Sequence, residues 1–213
     1  MRARWSPLSC DIGRTRVSFR PLRESFWTTG ADVTLDTRRD PSYPSDAVRA
    51  SVAWSRLNAI GAASFGAAGT AIDRYRLDAR GYKRLFGQNV LAARVGYDTA
   101  SAPQPLYELS LLGGSNLRGT RGGAFAGDKR FIWSAEVRVP FSSPLSTGRT
   151  GFNAFMDGGV TALHGQRLFD QPRQRSAGAG VWLTAAIFSL NLDVARSLDG
   201  HRTRVHFGTG FSF

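Results

Sequence analysis

Residues 202–213 read Arg-Thr-Arg-Val-His-Phe-Gly-Thr-Gly-Phe-Ser-Phe, and their alternation decides the fold. Thr203, Val205, Phe207, Thr209, Phe211 and Phe213 fall on one face of an extended chain, whereas Arg202, Arg204, His206, Gly208, Gly210 and Ser212 fall on the other. A strand with large apolar groups on one side and charged or very small groups on the other separates two different media. The preceding segment obeys the same rule, with Phe188, Leu190, Leu192 and Val194 opposing Ser189, Asn191, Asp193 and Ala195. Asp199-Gly200 between the two is a strong hairpin signal.

Working outward, Phe131, Trp133, Ala135, Val137, Val139 and Phe141 oppose Ile132, Ser134, Glu136 and Arg138. Near the front, Trp27, Thr29, Ala31, Val33 and Leu35 oppose Thr28, Gly30, Asp32, Thr34 and Asp36, and Val48, Ala50, Val52 and Trp54 oppose Arg49, Ser51 and Ala53. Further strands are expected near residues 69–81, 87–98, 105–113, 150–161 and 174–185. This makes about ten strands with no segment of helical period, a single antiparallel meander. Residues 1–25 carry no well-defined pattern, and the β-domain is expected over 26–213.

The polar face separates two architectures that share such a pattern. In a soluble sandwich that face meets bulk water and is rich in Lys, Glu and Thr. Here it carries Gly, Ser, Asn, Asp and Arg, as the crowded, wet lumen of a transmembrane β-barrel does. Trp27, Trp54, Phe131, Phe141, Phe211 and Phe213 sit near strand ends, where interface girdles belong.

Composition narrows the function. The chain has 213 residues and a net charge of +12, from 28 Lys plus Arg against 16 Asp plus Glu. The arginines are spread from Arg2 to Arg204 and no base-reading motif accompanies them, so nucleic acid is not an expected partner. A single cysteine, Cys10, and three histidines offer no ligand set for a metal, and no cofactor is expected. Enzyme motifs also fail: there is no Gly-x-Ser-x-Gly elbow, and Gly122–Lys129 places Asp128 where a phosphate loop needs Lys. His164, His201 and His206 fall in a turn, a turn and a lumen-facing position. The opening Met1-Arg-Ala-Arg-Trp-Ser-Pro has positive charge without the apolar block that makes a signal peptide, so no export signal is expected in it.

One loop is distinctive. Leu112-Gly-Gly-Ser-Asn-Leu-Arg-Gly-Thr120 is Gly-rich and places Leu117-Arg118-Gly119 at its centre. One hairpin later comes Phe155-Met-Asp-Gly-Gly159, in which alternation sets Phe155 and Asp157 on one face. Glu136 lies inward on the intervening strand, and the chain ends in Phe213. Asp36-Thr-Arg-Arg-Asp-Pro-Ser-Tyr-Pro-Ser-Asp-Ala47 adds a fifth feature. In this order these features resemble the bacterial surface antigen family, the C-terminal barrel of the eighty-five-kilodalton outer membrane protein superfamily. In that family the loop reads hydrophobic-Arg-Gly-aromatic, with Thr120 here in place of the aromatic, and the strand motif reads aromatic-x-Asp-x-Gly.

The resemblance implies the later part of a barrel of about sixteen strands, in the bacterial outer membrane. It implies a role in inserting proteins into that membrane or translocating them across it. The implied partners are outer-membrane lipids, the barrel assembly machinery, and client outer-membrane or secreted proteins. Phe213, with Phe211, is similar to the family's C-terminal assembly signal. A short passive pore, a structural barrel, or the barrel anchor of a larger secreted protein remain alternatives. Independently of the family, a Gly-rich loop cannot hold itself in a lumen by packing. An arginine that can fork two hydrogen bonds onto a carboxylate can hold it, so Arg118 is expected to pin the loop, with Asp157 and Glu136 as candidate partners.

Overall fold

The structure, a computed structural model, describes residues 4–5, 9–18, 23–60, 69, 71–142, 148–185 and 188–209. Eleven strands form one antiparallel sheet. They are β1 (Arg4–Trp5), β2 (Ser9–Ser18), β3 (Arg23–Asp36), β4 (Ala47–Ala59), β5 (Ala71–Arg84), β6 (Val90–Ala100), β9 (Lys129–Ser142), β10 (Arg149–Ala162), β11 (Gln174–Ala185), β12 (Phe188–Ser197) and β13 (Thr203–Thr209). β1 and β2 both pair with β3, on the edge away from β4, and from there each strand pairs with the next. Phe211 and Phe213 lie outside the described residues.

From β3 onward the meander departs from strict sequence order at one place. β6 pairs directly with β9, from Val90 opposite Arg138 to Asp98 opposite Arg130. The intervening residues leave the sheet, and two short strands among them, β7 (Ser110–Leu112) and β8 (Phe125–Gly127), pair only with each other. This corrects the strand expected over 105–113. That stretch is a turn of 3-10 helix, Leu106–Glu108, followed by the three-residue β7, because Pro105 and the positive-φ Gly113 and Gly114 interrupt any longer ladder. At the front, β1 and β2 extend the sheet into the stretch whose sequence carried no clear pattern.

Alternation follows the expected faces. On β10, Asn153, Phe155 and Asp157 are buried while Phe152, Ala154 and Met156 are exposed, and on β12 Asn191, Asp193 and Ala195 are buried while Leu192 and Val194 are exposed. The outer face therefore presents bare apolar side chains, such as Val52, Phe152 and Phe207, the last 72% exposed. Water would penalise such a surface, whereas a bilayer's acyl chains match it. The polar groups are turned inward, where Arg118, Glu136, Arg138, Asp157 and Asp193 are all buried.

The sheet curls strongly. Tyr43, in the β3–β4 connection, stacks on Trp182 of β11 at 5.1 Å between ring centroids and donates a hydrogen bond from its hydroxyl to the Gln88 carbonyl at 3.0 Å. With Ala47, Tyr82, Val90 and Ala92 they form one buried cluster, which brings the inner faces of β4 to β6 against that of β11. Among the described residues no ladder joins β13 to β1 or β2, so the curled sheet is barrel-like and open at that seam. Three connections at one end, 60–70, 101–128 and 163–173, are longer than any at the other, 37–46, 85–89, 143–148 and 186–187, while 198–202 at the first end is short. In outer-membrane barrels the long loops face the exterior and the short turns the periplasm.

Candidate functional site: a loop ion-paired to the inner face

The loop between β7 and β8 folds back into the concavity. Its turn geometry demands glycine at Gly113 (φ 124), Gly114 (φ 69) and Gly119 (φ 83). Within the loop, Asn116 Oδ1 accepts from the Gly113 amide at 2.8 Å, and the Gly114 amide donates to the Thr120 carbonyl at 3.1 Å. Leu112 and Leu117 are fully buried against Ile132 of β9, with Phe125 packed beside them. This small apolar foot seats the loop and leaves its tip, Leu117–Gly119, over β9, β10, β12 and β13.

Arg118 is 1% exposed and bonds across three strands. Its Nε and Nη2 donate to Asp157 Oδ2 and Oδ1 at 2.8 and 2.9 Å, a bidentate fork, and its backbone amide donates to Asp157 Oδ2 at 3.2 Å. Nη1 donates to Glu136 Oε2 at 2.7 Å and to Asp193 Oδ2 at 3.2 Å. The guanidinium lies 3.2 Å above the centroid of the Phe155 ring, so one of its two faces meets a π-cloud. Burial alone would lower the pKa of Arg118. The hydrogen bonds and charge of Asp157 and the charge of Glu136 more than reverse this, raise it above the ordinary arginine value, and hold the group cationic.

The carboxylates are themselves held. Ser134 Oγ donates to Asp157 Oδ1, Arg138 Nε donates to Glu136 Oε1 at 2.8 Å, and the amide groups of Asn153 and Asn191 donate to Asp193 Oδ1 and Oδ2 at 2.9 and 3.1 Å. The Gly119 amide donates to His206 Nε2 at 2.8 Å, so that nitrogen carries no proton and the loop tip is tied to β13 as well.

The structure thus brings Leu117, Arg118, Gly119, Glu136, Phe155 and Asp157 together. Gly159 sits at the edge of the cluster, where a Cβ would lie 2.6 Å from Leu112 Cδ1. Sequence reasoning did not single out Asp193 or His206 as partners of the loop. The signal for Asp193 was present on β11, in Gly178 and Gly180, which alternate onto the inner face between β10 and β12. A Cβ on Gly180 would lie 2.1 Å from Asp193 Oδ1, and one on Gly178 2.5 Å from the Phe155 ring. These bare positions let Asn153 and Asp193, on strands two apart, meet above β11. Gly180→Ala is accordingly expected to cost about 1 to 3 kcal/mol by displacing Asp193, measured as a lower urea midpoint for the loss of the compact gel form.

Elsewhere on the inner face two carboxylates are each shared by two arginines. Asp78 accepts from Arg80 and Arg94, and Asp98 accepts from Arg76 and Arg130. At the turn of the fifth sequence feature, Asp36 takes a bidentate pair from Arg38, with Nε to Oδ1 at 2.9 Å and Nη2 to Oδ2 at 2.7 Å.

A curled antiparallel meander with an apolar outer face, and a glycine-rich loop ion-paired to its polar inner face, defines a barrel protein of the outer-membrane type. The family model described as the Omp85 superfamily domain matches residues 23–213, and the chain belongs to the Omp85 superfamily, whose members act in outer-membrane protein insertion and translocation. A comparison with curated proteins gives no match.

Proposed function

We propose that this chain works in the insertion of proteins into the outer membrane, or their translocation across it, as a non-enzymatic scaffold whose inner loop is held by Arg118. The observation that carries this reading is the single guanidinium shared by carboxylates of β9, β10 and β12, each from a different strand of the wall. Burying charges in this way adds little net stability compared with apolar packing. It does fix one loop position relative to several strands, which a protein that must keep its interior shaped while its wall opens requires. The open seam supports the same reading, since the unpaired backbone groups of an edge strand template the addition of another strand.

In this reading residues 26–213 form the working barrel unit in the bacterial outer membrane. Its partners are outer-membrane lipids, the assembly machinery and client proteins, and Phe213 with Phe211 serves as the C-terminal signal for the chain's own assembly. Reconstitution tests it. Liposomes carrying the full chain are expected to convert a small urea-unfolded outer-membrane barrel to its heat-resistant, fast-migrating form several-fold faster than empty liposomes. Ion conductance with no acceleration of client folding would replace the reading with that of a passive pore.

A further inference from the structure

A groove of about 240 Å³ opens on the outer face at the long-loop end, lined by Phe131, Trp133, Phe169, Arg173 and Arg175 among others. It exists because the β10–β11 connection does not project away from the wall. Its 3-10 turn, Leu168–Asp170, folds back so that Leu168 packs on Val160 and Ala162, and Phe169 meets Phe131 edge to face at 5.6 Å. Trp133 lies against the adjacent strand at Gly158, where a Cβ would fall 2.3 Å from its Nε1. The apolar floor is thus fixed by packing, while Phe169 stays 59% exposed to whatever surrounds the wall.

Two arginines, Arg173 and Arg175, stand in the lining of the groove, and the connections at that end carry a surplus of positive charge. Residues 163–175 and 196–202 together hold five arginines, Arg167, Arg173, Arg175, Arg196 and Arg202, against two aspartates, Asp170 and Asp199. Asp199 is engaged by Arg175 at 3.0 Å, and among the described residues Arg173 has no ion-pair partner. An apolar slot facing acyl chains, with surplus guanidinium charge at the level where headgroups begin, matches an amphiphile with phosphate at its head.

We propose that this groove binds an anionic, phosphate-bearing lipid of the outer leaflet, with its acyl chain along Phe131, Trp133 and Phe169 and its phosphate on Arg173 and Arg175. The proposal rests on placement of the chain in the outer membrane and is independent of any action on client proteins. A bound lipid at this site would brace the β10–β11 connection against the outer ends of β9 and β10, the strands that carry Glu136 and Asp157.

The test uses the full chain in neutral maltoside micelles, titrated with a bis-phosphorylated lipid A, with phosphatidylcholine and with inorganic phosphate, and read by native mass spectrometry. Lipid A is expected to bind with defined stoichiometry, and phosphatidylcholine and free phosphate are not. Arg173→Gln/Arg175→Gln is expected to weaken lipid A about twenty-five-fold, roughly fivefold for each guanidinium, and Arg76→Gln on the inner face is expected to leave it unchanged. Phe169→Ala, which keeps every charge, is also expected to weaken it. Should the double variant fail to give the compact gel form, Arg173→Gln alone serves, since it breaks no ion pair among the described residues. Equal affinity of the variants and the parent chain, equal uptake of phosphatidylcholine, or competition by free phosphate would each overturn the proposal. A parent chain that never inserts into neutral bilayers would overturn the membrane placement itself, a separate result from insertion without lipid selectivity.

Discussion

Replacement of Arg118 by leucine is expected to destabilise the folded protein by about 3 to 5 kcal/mol, the cost of breaking a buried ion pair from one side. The variant keeps apolar contact with Phe155 and removes the cation that Glu136, Asp157 and Asp193 share, so three buried carboxylates are left to repel one another. Two readouts separate loss of the anchor from general weakening. The urea midpoint for loss of the compact gel form should fall, and trypsin should cut faster at the exposed Arg121 beside the anchor even without urea. Neutralising the carboxylates that lose their cation, by Arg118→Met with Asp157→Asn and Asp193→Asn while Glu136 stays paired with Arg138, is expected to recover most of the urea resistance, because the penalty lies in the unpaired charges. Unchanged urea resistance and unchanged cutting in Arg118→Leu, or in Asp157→Asn, would remove the anchoring role.

Gly119→Val is expected to be nearly as damaging, by about 3 kcal/mol, although it alters no charge. The backbone there has φ of 83°, a region where a β-branched residue is strained by about 1 to 3 kcal/mol. A Cβ would also stand 3.0 Å from the Ser197 amide nitrogen and 3.1 Å from the Arg196 carbonyl carbon, backbone atoms of β12 that cannot swing aside. Relief requires the tip to lift, which breaks the bond to His206 Nε2 and lengthens those from Arg118. Gly122→Ala, three residues along the same loop with open space around its Cβ position, is the matched control and should stay within about 0.5 kcal/mol of the parent chain. A similar loss for both would mean that the loop tolerates no side chain anywhere, and that close approach to β12 is not the cause.

Much of the anchor was legible because its parts obey local rules. Period-two alternation places Glu136 inward, and Phe155 with Asp157 on one face. A glycine-rich loop with one central arginine signals its need for a charged hold. Asp193 and His206 were equally inward by alternation, yet nothing local distinguishes them from Asn191 or Arg204 on the same faces. Their selection depends on how far the sheet curls, which brings β12 and β13 under the loop tip, and on Gly178 and Gly180 leaving β11 bare between Asn153 and Asp193. The stretch over 105–113 misled for the opposite reason. Its apolar residues suit a strand, and its ladder partners were taken when β6 paired directly with β9.

The sequence by itself determined an antiparallel meander with an apolar outer and a polar inner face, because side-chain alternation along a strand is a property of the backbone alone. It also determined that a loop centred on Arg118 needed an inward acidic partner. The tertiary structure decided that the loop's guanidinium is divided among three strands, that its tip is tied to a fourth through His206, and that the β10–β11 connection folds down to make an outward groove. Each of these depends on which strands the curl of the sheet brings together, a distance between residues far apart in the chain that no local pattern encodes.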